Sequence, residues 1–273
     1  MNAAKITRQS GSNLALAFVS LGRERRADIS VFYAFCRLVD DISDSMELPA
    51  DEKRAKLETW RQALSAAVPG EAPLAPEVRS LIAKYSLTPA MLGEIIDGVE
   101  MDLSISSYAT FEELRVYCYR VASAVGLVSI EIFGYKNPRC RDYAIELGLA
   151  LQITNIIRDV GKDLKIDRVY LPQEDLARFD YTMADLRSRT YDQRFLALME
   201  FEAVRARSFF GRATAALPRE DRRSMVAAEI MHAVYAALLT KMERDRFRVF
   251  EKEYRLTKTE KAARIAVGLA KFF

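Results

Sequence analysis

Histidine is almost missing: His232 is the only one in 273 residues. That leaves no basis for a histidine-ligated metal site or a histidine-based catalytic triad. Cysteine is scarce too. Cys36, Cys118 and Cys140 lie far apart in apolar stretches with no CxxC spacing, which fits reduced core thiols in a cytosolic protein and not a disulfide framework. Neither sign of charge dominates: 41 Lys and Arg stand against 38 Asp and Glu, a net charge of +3. A general polyanion-binding surface, and with it a nucleic-acid partner, is therefore not expected. No signal peptide opens the sequence, and no uninterrupted apolar run is expected to reach transmembrane length. No linker separates two halves, since the Pro-rich stretch 68–76 is too short for one. Half of the residues are hydrophobic, enough for a large core, and the whole of 1–273 reads as one all-α domain.

What the sequence does have is helix-period apolar segments that carry acid. In Leu151–Asp163, Asn155, Asp159 and Asp163 follow one another at four-residue spacing, with Gln152 one turn earlier. The remaining faces hold Leu151, Ile153, Ile156, Ile157 and Val160, so most of this helix should be buried. Carboxylates taken out of water need a partner. An all-oxygen donor set at this spacing suits a hard cation such as Mg²⁺, which can in turn hold phosphate oxygens. One such stripe is explained as readily by a satisfied polar seam between helices. A second copy changes the balance. Val31–Asp44 sets Asp40 and Asp44 one turn apart, with Tyr33 and Arg37 continuing the stripe backwards and Phe32, Phe35, Leu38, Val39 and Ile42 on the apolar side. Two buried helices with paired carboxylates are expected to face each other across a cavity and to hold divalent ions between them.

Tyr33-Ala-Phe-Cys-Arg37-Leu-Val-Asp40-Asp41-Ile-Ser-Asp44, Gln152-Ile-Thr-Asn155-Ile-Ile-Arg158-Asp159-Val-Gly-Lys-Asp163 and Arg168-Val-Tyr170-Leu-Pro172 resemble, in order and spacing, the squalene/phytoene synthase family of head-to-head prenyl transferases. The similarity runs over almost the whole chain. It implies an isoprenoid-synthase helical bundle around a central cavity. It also implies Mg²⁺, or Mn²⁺ in its place, held by Asp40, Asp44, Asn155, Asp159 and Asp163. Substrate phosphates would meet Ser10 and Ser12 at a helix entry, together with Arg37, Gln152, Arg158, Lys165 and Arg168. Tyr33, Tyr170 and Tyr235 would line the cavity, and Tyr117 would face the reacting centre, where a ring face stabilises a passing cation. Asp40, Asp159, Arg37 and Tyr117 are the expected catalytic set. Met101-Asp102 would lie close to the cavity, although a solvated acidic face with Asp97 and Glu100 accounts for it as well. The residue before Arg168 is Gly in most relatives and Asp167 here.

The rest of the chain reads as helices over about 52–67 (Asp51 as N-cap, Trp60 packing), 77–85, 89–103 (Thr88-Pro89 as cap and first turn), 111–134, short turns over 173–190, and 191–216 with a solvated basic face of Arg205, Arg207 and Arg212. A long helix is expected over 219–256. Ala122, Ala124 and Gly126 leave room beside the 111–134 helix, for close packing or for a prenyl chain. Lys252 and Arg255 fall where relatives bring a basic residue to the phosphates. The tail Lys258–Phe273 alternates basic and apolar residues, which suits peripheral contact with the inner face of a membrane or an ordinary docking helix.

The wording of Tyr117–Gly134 and the Ser-Gly-Ser-Asn entry resemble most the presqualene diphosphate synthases of hopanoid pathways. This implies condensation of two farnesyl diphosphates to presqualene diphosphate, without NADPH for that half-reaction, feeding later squalene or hopanoid enzymes. The alternatives are a phytoene synthase using geranylgeranyl diphosphate, a squalene or dehydrosqualene synthase, and a helical lipid carrier that has kept the fold and lost the chemistry.

Overall fold

The computed structural model describes residues 17–270, with side chains as far as residue 266. Among the described residues there is no strand; helices succeed one another along the chain. They are α1 (Arg23–Asp44), α2 (Ala50–Ala63), α3 (Ala75–Lys84), α4 (Pro89–Met101), α5 (Phe111–Cys118), α6 (Ala124–Phe133), α7 (Cys140–Asp163), α8 (Gln173–Arg178), α9 (Met183–Arg187), α10 (Gln193–Ala216), α11 (Val226–Arg244) and α12 (Lys258–Ala270). The all-α class expected from periodicity is the one observed, and the buried side chains of α1 to α11 join in a contiguous core.

α7 is the axis of the bundle. It packs most extensively on α10 and also touches α5, α6 and α11. Its buried face runs through Leu147, Ala150, Ile153, Ile157 and Val160. Gly148 lets α7 approach the segment between α5 and α6 so closely that a Cβ there would stand 2.5 Å from the Ser123 Cα. That segment, Tyr119–Ser123, is a π-helical turn, so the expected unbroken 111–134 helix is in fact two α-helices joined by a wider turn. Together, Phe111–Phe133 has the length and mean apolarity of a membrane span, with a mean hydropathy of 1.4; its apolar run is broken by Arg115, Arg120 and Glu131, and more than half of its most apolar window is buried among its neighbours. α1 is anchored on the opposite side. Its Phe35 meets Trp60 of α2 edge-on at 5.2 Å.

Several local expectations change. Asp51 lies in the first turn of α2, whose N-cap is Pro49. Thr88 does cap α4, accepting from the Met91 N–H, with Pro89 in the first turn. The helix expected over 219–256 covers only Val226–Arg244. Beyond it Arg246 and Phe247 turn into the left-handed region (φ 54° and 52°), and the chain folds back to bury Phe247, Val249 and Tyr254. Burial of those side chains outweighs the helical periodicity. Arg205 is not on a solvated face. It is largely buried, paired with Asp175 at 2.7 Å and with Glu202 at 2.7 Å, and stacked over Phe111 at 4.0 Å. Arg207 and Arg212 are paired with Glu243 and Glu146. All three cysteines are free thiols.

Replacing Gly148 with Ala forces a methyl into the Ser123 backbone, so equilibrium urea unfolding should show a loss of about 2 kcal/mol. Gly93→Ala in α4 meets nothing within 4 Å and should instead gain about 0.5 kcal/mol, as glycine in a helix interior costs about that much.

Candidate active site

Two loops position the polar end of the bundle. The chain leaving α7 passes through a 3₁₀ turn, Leu164–Ile166, and Asp167 then takes a left-handed conformation (φ 55°). This is the position where glycine is expected in relatives, and the backbone explains it: a residue with φ > 0 is most easily glycine, with aspartate among the better-tolerated substitutes. The loop then runs alongside 102–110, where Val169 N–H donates to the Ser106 carbonyl at 2.8 Å and Gln173 N–H to the Tyr108 carbonyl at 3.0 Å. This pairing brings Arg168 and Tyr170 to Asp102 at the end of α4.

Asp102 is the residue that sequence reasoning undervalued. Its carboxylate accepts from the Tyr170 hydroxyl at 2.8 Å and from the Tyr117 hydroxyl at 3.1 Å. Its carbonyl accepts from Arg168 at 3.2 Å. Burial raises its pKa, opposed by Arg168 and the two phenols. The rings of Tyr117 and Tyr170 stack at 5.2 Å, and Tyr108 lies 5.7 Å from Tyr117. Burial and the Asp102 charge also hold the Tyr117 phenol well above its ordinary pKa, so it remains a proton donor. Asp97 and Glu100, by contrast, point to Arg61 of α2.

Arg168 stands between Asp44 of α1 and Asp102 at the end of α4. Its Nη1 lies 3.9 Å from an Asp44 oxygen and 4.0 Å from Asp102, and its charge also lowers the pKa of Asp163. On α1, Asp40 is pushed up to about 6, first by burial and then by Asp44, although about half of its side chain reaches solvent and water screens part of this. Asp163 is pushed up to about 7, by burial and then by Asp159. Arg158 pairs with both oxygens of Asp159, and Tyr235 lies beside the Arg158 guanidinium. Arg37 is tied to Asp40 at 3.1 Å and Asp41 at 2.6 Å on its own helix. Asn155 donates to Gln152 at 3.3 Å, while its buried Oδ1 accepts from nothing. Among the described residues, no three acidic side chains converge on one point.

The remaining expected residues are placed as follows. Lys165 is exposed on the 3₁₀ turn. Tyr33 meets Phe18 edge-on at 6.2 Å, one step below the acid stripe. Ser10 and Ser12 lie outside the described residues. Lys252 pairs with Asp245 and Arg255 with Glu253 at 2.6 Å, in a hollow on another side of α11, so neither reaches this site. Below the polar end lies an apolar chamber of about 90 Å³. Ala122, Val125, Gly126, Leu151 and Met231 are among its lining residues, whereas Ala124 packs into the core.

The fold is thus an all-helical bundle with two acid-bearing helices, a loop that brings Arg168 and Tyr170 to Asp102, and an apolar chamber. Comparison with known proteins gives the family. The squalene/phytoene synthase family matches residues 7–260, and the chain belongs to it, a family of prenyltransferases. The chain is 34% identical over 264 residues to a 15-cis-phytoene synthase of Synechococcus elongatus (91% of this chain, 85% of the relative). It is 37% identical over 232 residues to a presqualene diphosphate synthase of Rhodopseudomonas palustris (84% and 82%). Among solved structures it matches a dehydrosqualene synthase in complex with ligand with a TM-score of 0.83 at 23% identity (98% of this chain, 94% of that one). It also matches the squalene synthase HpnC from Alicyclobacillus acidocaldarius with a TM-score of 0.78 at 26% identity (90% and 93%).

The raised Asp163 pKa has a consequence for stability. The folded state holds this proton more tightly than the unfolded chain, so the associated stability is complete below about pH 4 and is lost as pH rises through about 7. Metal-free protein should therefore lose stability across that window. Asp163→Asn should remove the loss and be more stable near neutral pH by about 2 kcal/mol, as read by urea unfolding at pH 5 and pH 8 in EDTA. Equal pH slopes in the two proteins would exclude Asp163 as the source.

Proposed function

We propose that the protein condenses two farnesyl diphosphates head to head into presqualene diphosphate, releasing one diphosphate. The observation that carries this reading is the buried, unpartnered Asn155 Oδ1, one turn before Asp159 on α7, followed by Asp163, whose pKa is raised by burial and by Asp159. Such a set of oxygens fits a hard cation. Asp40, Asp44, Asn155, Asp159 and Asp163 would hold Mg²⁺, which supplies positive charge for the diphosphate as it leaves.

The protein's own groups then divide the work. Arg168, Arg158, Arg37 and the exposed Lys165 attract and orient the diphosphate. The allylic C–O bond of one substrate breaks, and its electron pair leaves with the diphosphate. The double bond of the second chain attacks the allylic cation, and loss of a proton closes the cyclopropane. Tyr117, which donates to Asp102, is held protonated, so the released diphosphate is the proton acceptor. Asp102 fixes the rings of Tyr117 and Tyr170 at the cation's edge, and the apolar chamber keeps water from quenching it.

Support for farnesyl chains comes from the 37% identity to a presqualene diphosphate synthase. A second reading, condensation of geranylgeranyl diphosphate, is favoured by the phytoene synthase match over 91% of the chain. Incubation with each diphosphate and Mg²⁺, without NADPH, and identification of the product decides between them. Presqualene diphosphate supports the first reading; turnover of geranylgeranyl diphosphate alone supports the second; no Mg²⁺-dependent turnover of either defeats both.

Asp40→Asn and Asp159→Asn should each lower kcat by at least about 10²-fold, on the scale of losing one charge-stabilising group, with the helical circular dichroism unchanged. Asp102→Asn should lower kcat less, through loosened tyrosines. Full activity in any of these variants removes that residue from the mechanism.

A further inference from the structure

Three elements lead away from the polar site to a common end. α7 descends from Asn155 through Leu151 and Gly148 to Ala144, α11 from Tyr235 through Met231 to Ala228, and the α5–α6 segment from Ala122 through Gly126 to Phe133; all but the two polar starting residues line the apolar chamber. At the far end stands Tyr143, 0% exposed, about 18 Å along the α7 axis from Asn155 at 1.5 Å per residue. Its hydroxyl donates to Glu229 Oε1 at 2.8 Å. Glu229 also borders a different hollow, of about 870 Å³, open to solvent and lined by Lys241, Arg244, Lys252 and Arg255. His232, stacked on Phe210 at 4.8 Å, holds Nδ1 3.6 Å from the same carboxylate. The Tyr143–Glu229 hydrogen bond therefore stands where the linings of a dry chamber and a wet one meet.

We propose that Tyr143, latched by Glu229, is the floor of the prenyl-tail chamber: it sets the longest chain the enzyme accepts and separates the chain end from the outer water. The inference rests on the prenyl diphosphate reading above. A side chain anchored at its polar tip by a carboxylate on another helix cannot swing aside for a longer chain, as a Leu or Met there would. The wall above the floor is lined by small residues, among them Ser129, whose hydroxyl is turned back to the Val125 carbonyl at 2.7 Å.

The test measures kcat/KM for farnesyl and geranylgeranyl diphosphate in the full chain with Mg²⁺. Tyr143→Leu opens the floor and should raise the geranylgeranyl-to-farnesyl ratio at least about tenfold, since even one methylene in an apolar pocket is worth that much. Ser129→Phe, which fills the chamber from its wall, should move the ratio the other way. A folded Tyr143→Leu with an unchanged ratio overturns the proposal. Where Tyr143→Leu does not fold, Ser129→Phe decides, and an unchanged ratio overturns it equally. Should the wild type prefer geranylgeranyl diphosphate, the farnesyl reading fails while the floor is judged by the same shift toward the next longer prenyl chain. Should the wild type turn over neither, the ratio is read from thermal shifts on binding each diphosphate.

Discussion

Burial of closely spaced carboxylates is the constraint on which the site depends. Asp40 with Asp44, and Asp159 with Asp163, stand one turn apart on helices whose other faces are committed to the core. The balancing cations are Arg168 near Asp44, Arg158 against Asp159 and Arg37 against Asp40 and Asp41. Asp40 and Asp163 are nevertheless shifted upward, first by burial and then by the neighbouring carboxylate. On the reading proposed above, a bound cation would relieve these carboxylates, and a diphosphate would draw the same arginines away from them, so that the two would bind the more tightly together.

The acid stripes were legible because their information is local. Four-residue spacing inside an apolar helix needs no knowledge of the rest of the chain, and Asp40, Asp44, Asn155, Asp159 and Asp163 follow from it directly. Asp102 was not legible in this way. On the sequence it is the last of three acids on a helix, and what separates it from Asp97 and Glu100 is a hydrogen bond to Tyr170, 68 positions away. Arg205 was misread for a similar reason. Its local partner Glu202 was in plain view, but burial is set by Asp175, which comes from a different helix. The overlong helix of 219–256 failed differently: its pattern does continue, and only the tertiary burial of Phe247, Val249 and Tyr254 ends it at Arg244.

The polar loop and the apolar chamber make opposite demands on one scaffold. The loop after α7 carries charged and aromatic groups to α4 with backbone hydrogen bonds to 102–110 and a left-handed Asp167. The chamber is free of charged side chains and is lined by Ala, Gly and Ser against Leu, Val and Met. Both are hung on α7, whose stripe changes from Asp163, Asp159 and Asn155 to Leu151, Gly148 and Ala144 within a few turns.

The π turn at Tyr119–Ser123 shows how the neighbouring helix meets both demands. In an uninterrupted α-helix each residue advances about 100°, so Val125 would lie about 80° around from Tyr117 and Ser129 about 120°, off the side on which Tyr117 reaches Asp102. A π turn absorbs one extra residue. Beyond the turn, subtracting its 100° brings Val125 to about −20° and Ser129 to about 20° of Tyr117. One helix can then present the tyrosine to the reacting end and the chamber wall below it on a single face, which a regular helix of the same sequence would not do. Gly148, pressed against Ser123 in that same turn, is the contact that lets the wider turn pack on α7, so Tyr117, the chamber wall and the acid-bearing helix are held in register by one close approach.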